Sequence, residues 1–176
     1  MKCKLAILAL MIYNMISGQD LKIEFNQLNM FEGETINNVP NQEKDVIYGK
    51  TLEWVAYNFR NTESVIQSSV ENKMLRFQGV SNSIITSKFY TYGLSYLIQI
   101  DIKDEKVKYH VYDINSIAAN GVKYDIELSL LYYGDSKKKK HLDKVQKMKN
   151  EINIELNNIY DNYIDFLLND TTNDNW

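Results

Sequence analysis

The chain has 176 residues, a formal net charge of −3, 44% hydrophobic and 12% aromatic residues, and a single cysteine. So apolar a composition excludes a disordered chain. The negative balance argues against a nucleic-acid binder, because affinity for phosphate backbones depends on clustered Lys and Arg.

Lys2 and Lys4 precede an apolar run from Leu5 to Ile12, and Ser17 and Gly18 follow before Gln19 and Asp20. Basic start, apolar middle and small-residue end together make a secretory signal peptide, with cleavage expected after Gly18. Asn14 breaks the run short of the roughly 20 apolar residues of a transmembrane helix. Cys3 precedes the apolar run, so it is not the lipid-bearing residue of a lipoprotein signal, and the mature chain would hold no cysteine, no disulfide and no Cys-type zinc site. About 160 residues remain, the size of one domain. Periplasm is the expected location, with the cell surface or medium as the other exported destinations.

Residues 20 to 30 alternate Leu21, Ile23 and Phe25 against Lys22, Glu24 and Asn26, the period of a half-buried strand. A polar loop is expected next, carrying Gly33, Asn37, Asn38 and the sole proline, Pro40. From Gln42 to Phe59 the positions Val46/Ile47, Thr51/Leu52, Val55 and Phe59 recur every three or four residues, which predicts an amphipathic helix capped by Asn41. Trp54 falls beside that stripe and reads as core, whereas Tyr57 lies off it. Two hairpins follow: Glu63–Val70 with Lys73–Val80, then Phe89–Lys103 with Lys106–Ile117 around Asp104 and Glu105. A Ser/Asn-containing bridge joins them. Residues 118 to 135 read as a loop insertion. Ser136 to Leu168 carries Leu142, Val145, Met148, Ile152, Leu156, Ile159, Tyr163 and Phe166 at intervals of three and four, one long helix. At 1.5 Å per residue it spans about 50 Å, so part of it should overhang a five-strand sheet about 24 Å wide. Residues 169 to 176 read as a frayed tail.

Little here resembles a catalytic apparatus. His110 and His141 lack HxxxH or HExxH spacing, and the sequence contains no GxSxG, P-loop or Rossmann glycine pattern. Asp101, Asp104 and Glu105 sit at a hairpin end, where solvated turns place carboxylates anyway. No metal or other cofactor is expected. The run Lys137 to Lys140 reads as a solvated first helical turn, with an acidic surface as the sharper alternative.

The segment YGKTLEWVAYNFRNTESVIQSSVENKMLRFQGVS, residues 48 to 81, resembles the family called the domain of unknown function with a TBP-like fold, found in exported bacterial proteins. Leu52, Glu53 and Trp54 match its helix-ending pattern, and Val65, Ile66 and Gln67 the strand after it. The resemblance covers residues 20 to 117 and the closing helix; the hairpin has fewer glycines than the family uses, with Asn72 and Gly79 in their place. It implies an α+β fold, a curved antiparallel sheet of about five strands packed on one face by two helices, and an exported location. It implies no activity.

A fold does not fix a function. The outward set expected on the uncovered face is Arg76, Gln78, Leu97, Gln99, Lys108, His110 and Tyr112, which suits a sugar or peptide, or is plain solvated surface. The leading expectation is an exported, non-catalytic binding or structural module of the bacterial cell envelope, with an envelope protein, peptide or glycan as partner. The alternatives are a small periplasmic hydrolase using scattered carboxylates and self-association through residues 142 to 166.

Overall fold

The structure, a computed structural model, describes residues 21, 23–25, 31–86, 91–125 and 139–169. The expected signal peptide, most of the tail, residues 126–135 of the insertion and Lys137–Lys138 lie outside the described residues. Seven antiparallel strands form one sheet: β1 (Ile23–Phe25), β2 (Phe31–Asn38), β3 (Ile66–Val70), β4 (Met74–Thr86), β5 (Thr91–Lys103), β6 (Lys106–Ile117) and β7 (Lys123–Asp125). Their spatial order is β1-β2-β6-β5-β4-β3, with β7 also paired to β6. Five strands are long and two have three residues each. Helix α1 (Lys44–Asn58), a single turn α2 (Thr62–Val65) and the long α3 (Lys139–Leu168) complete the fold.

The central pair follows the alternation directly. Leu94, Tyr96, Ile98, Ile100 and Ile102 of β5 are buried on the helix side, as are Val107, Tyr109 and Val111 of β6. Phe77 and Leu75 of β4 continue this layer. Trp54 and Val55 of α1 and Ile152, Leu156, Tyr160, Tyr163 and Leu167 of α3 cover it. Trp54 is only 1% exposed, so its indole is core, whereas Tyr57 is 73% exposed. Edge-on ring contacts of Trp54 with Phe59 at 5.6 Å and with Phe77 at 6.0 Å tie α1 to the sheet.

Besides the expected loop insertion 118–135, in which Lys123–Asp125 forms strand β7 on β6, four expectations change. The polar loop is strand β2. Its buried positions Gly33, Thr35 and Asn37 alternate with exposed Glu34, Ile36 and Asn38, so the strand is real while its hydrophobic alternation is missing. Backbone pairing to β6 and a hydrogen bond from the Tyr160 hydroxyl to Asn37 Oδ1 (2.7 Å) hold that polar inner face. Second, Asn41 has φ 61° and does not cap α1; the cap position is Glu43, and the Asp104 carboxylate accepts from the Lys44 N–H at 3.1 Å. Third, Thr62–Val65 is a helical turn before β3. Fourth, the Ser/Asn bridge largely belongs to β4, which runs to Thr86 through a register shift between Ser81 and Ile85, with Ser83 at φ 60°.

Helix α3 overhangs little. Buried positions run from Val145 to Leu167, leaving exposed Lys139, Lys140 and residues 142–144 beyond the packed stretch. Gln42 Nε2 and Lys50 Nζ donate to the Leu167 carbonyl at 2.8 and 3.1 Å, closing an unsatisfied helix end with a favourable charge. At the same end of the sheet the β5–β6 hairpin tip grips the entry to α1. Glu105 accepts from Val39 N through its carbonyl (2.8 Å), donates to the Gln42 carbonyl (2.9 Å) and accepts from Asn41 N through its carboxylate (3.1 Å).

Candidate functional site

All seven residues expected on the uncovered face lie together there. Cross-strand pairing aligns Arg76 with Gln99 and Gln99 with His110, and the adjacent row aligns Gln78 with Leu97 and Leu97 with Tyr112. Each is half-buried. Arg76 donates through Nε and Nη2 to Gln99 Oε1 at 3.1 and 2.6 Å, and Gln99 Nε2 donates to the Asp101 carboxylate at 3.0 Å. Gln78 Nε2 reaches Ser95 Oγ at 3.0 Å. Lys108 pairs with Glu34 at 2.7 Å, and the His110 ring stacks on Tyr112 at 4.6 Å while Nε2 faces Glu32 at 3.2 Å. The polar groups are thus bonded to one another, with both signs of charge interleaved. Leu97 and Tyr112 form an apolar strip between them.

A second concave site lies on the helix side, which the sequence reading did not single out. It is a cleft of about 360 Å³ between α1 and α3 over β4 and β5. Trp54, Asn58 and Phe59 come from α1 and its C-terminal cap, Val80, Ser81 and Tyr96 from the strands, and Glu155, Asn158, Ile159 and Asn162 from α3. Trp54 Nε1 donates to Asn162 Oδ1 at 2.7 Å, which fixes the side chain that separates the cleft from the core. The Tyr96 hydroxyl meets Ser81 Oγ at 3.2 Å. Burial pushes the Tyr96 pKa up to about 12; the Ser81 hydrogen bond works against that rise and the nearby Glu155 carboxylate adds to it.

Deeper under α3, burial raises Tyr109 and Tyr163 well above the ordinary tyrosine value, with the Thr51 hydroxyl 3.0 Å from Tyr163 opposing the shift there. Among the described residues Tyr109 OH, Thr35 Oγ1 and Asn37 Nδ2 find no hydrogen-bond partner. Among the described residues no three His, Cys, Asp or Glu side chains gather as a metal site, and no helix is long and apolar enough to cross a membrane.

A single antiparallel sheet with helices on one face and a long C-terminal helix defines an α+β protein of TBP-like fold. Residues 34–116 match the family described as "Domain of unknown function (DUF4468) with TBP-like fold". Two solved structures are similar. A DUF4468 family protein from Bacteroides ovatus has 12% identity and a TM-score of 0.67, covering 85% of this chain and 92% of its own. A TBP-like protein from Parabacteroides distasonis has 14% identity and a TM-score of 0.66, covering 82% and 96%. At such identity the likeness concerns the fold alone. No curated protein matches the chain.

Proposed function

We propose that the protein is an exported, non-catalytic binding module of the bacterial cell envelope that docks a partner protein on the open face of its sheet. The observation that carries this reading is the Leu97–Tyr112 strip, half-buried at the centre of a face on which neither α1 nor α3 packs, and bordered by Arg76, Gln78, Gln99 and His110. An apolar strip inside a polar rim is the usual anatomy of a protein interface. Interleaved charges such as Lys108 with Glu34 suit a mixed protein surface better than a polyanion, which calls for one sign over a wide area. The basic-apolar-small order of residues 2 to 18 supports export.

Two experiments test the reading. A photo-crosslinking residue replacing Tyr112 should capture one defined partner in cells, and the same residue replacing Tyr57 on the helix side should not. Capture from neither position, or equally from both, would rule out the open face. For export, residues 1–25 fused to a phosphatase active only outside the cytoplasm should yield activity that is lost when Leu8 is replaced by Arg; an inactive fusion would remove the signal peptide.

A further inference from the structure

The cleft between α1 and α3 is built differently from the sheet face, and we infer that it binds a neutral sugar ring. Helix α3 sets Glu155, Asn158 and Asn162 at intervals of three and four, so the three polar side chains form one stripe along the cleft. Among the described residues neither the Glu155 carboxylate nor the Asn158 amide is hydrogen-bonded to another protein group, and Asn162 uses only its carbonyl oxygen, on Trp54. Acceptors and amide donors are therefore available side by side. A vicinal pair of hydroxyls, each able to donate and accept, matches such a stripe.

The opposite wall is apolar and held in place. Phe59 is fixed edge-on against both Trp54 and Phe77, at 5.6 and 5.1 Å, and offers a surface to the C–H side of a sugar ring. A wall and a hydrogen-bonding stripe already locked by core contacts lower the ordering cost of binding. The volume of about 360 Å³ is at the small end for ligand pockets.

Charge narrows the ligand. Among the described residues lining the cleft, Glu155 is the one formally charged residue and none is Lys or Arg. A phosphate or carboxylate ligand would meet repulsion without a counter-charge, and a wholly apolar one would strip water from Glu155 and Asn158 without replacing it. This site is on the other side of the sheet from Leu97 and Tyr112, so it stands or falls apart from the partner-docking reading.

The test is a nuclear magnetic resonance titration of the purified protein with glucose, galactose, mannose, N-acetylglucosamine and their β-linked disaccharides. At least one of these should shift the Trp54 indole N–H and the Asn158 side-chain amide saturably. Asn158→Ala and Glu155→Gln should each weaken that binding roughly tenfold, while Tyr57→Ala changes it by less than about twofold. No saturable shift from any of these sugars would overturn the inference, as would shifts confined to the open sheet face. Tighter binding of glucosamine than of N-acetylglucosamine, abolished by Glu155→Gln, would make this a cation site instead. Tighter binding of glucuronate than of glucose would overturn it as well.

Discussion

The buried layer has two halves of different chemistry. Under α1, between β4 and β5, it is aromatic and aliphatic: Trp54, Phe77, Ile98 and Ile100 pack with their apolar groups matched. Under α3, beside β2 and β6, it is threaded with polar atoms: Thr35, Asn37, Tyr109 and Tyr160. The first half supplies cohesion through apolar area removed from water. The second supplies positional definition, because a buried hydroxyl or amide tolerates only arrangements that give it a partner.

The largest effect should come from the apolar half. Trp54→Ala removes the fully buried indole that bridges helix and sheet, and should cost about 3–5 kcal/mol in urea unfolding. A loss under about 1 kcal/mol would mean that the two halves do not differ in this way.

Alkali probes the buried tyrosine hydroxyls, Tyr109 in the polar half and Tyr96 and Tyr163 where the two halves meet. Tyr96 has its pKa raised from 10.0 to about 12, and Tyr109 and Tyr163 are also raised. The unfolded chain releases these protons near pH 10 while the folded one keeps them. Stability from these groups is thus complete below pH 10 and is lost as pH rises, for Tyr96 between about 10 and 12. The slope should be about 1.4 kcal/mol per pH unit for each tyrosine involved. Tyr96→Phe should flatten it, and an unchanged slope would show that Tyr96 does not contribute.

The polar half also contains its own contrast. Tyr160→Phe deprives Asn37 Oδ1 of its donor and should cost about 1–3 kcal/mol. Tyr109→Phe removes a hydroxyl with no partner among the described residues and should change stability by less than about 1 kcal/mol, or raise it. Equal losses from the two would indicate that Tyr109 bonds a buried water.

The smallest effect belongs to the open face. Lys108→Ala breaks the ion pair with Glu34, whose side chains are 38% and 47% exposed, and should cost at most about 0.5 kcal/mol in low salt. A larger loss would make this face more than a solvated ladder.

Where side-chain polarity and backbone geometry agree, the sequence was legible. β5 and β6 show their burial as alternation, and α3 shows its as intervals of three and four. β2 was not legible, since Gly33, Thr35 and Asn37 are buried without being apolar; what makes them a strand is pairing with β6, more than 60 residues away. The seven open-face residues follow from strand parity alone, so their placement was readable. The cleft was not, because Glu155, Asn158 and Asn162 lie beside the stripe that defines α3 and matter only once Phe59 stands opposite. Trp54 resolves as core that also forms part of the cleft wall.

The grip of Asp104 and Glu105 on the entry to α1 bears on the order of folding. The first turn of that helix is closed by a carboxylate 60 positions further along. The β5–β6 hairpin needs only local closure and can form within microseconds, whereas the start of α1 has no side-chain cap of its own. Asp104→Ala should therefore speed unfolding and leave the folding rate unchanged, while Val107→Ala slows folding; the reverse pattern would place the helix start in the nucleus. With the expected outcome, the start of α1, made earlier on the ribosome, would be fixed only after the hairpin made later, and assembly would run against the direction of synthesis.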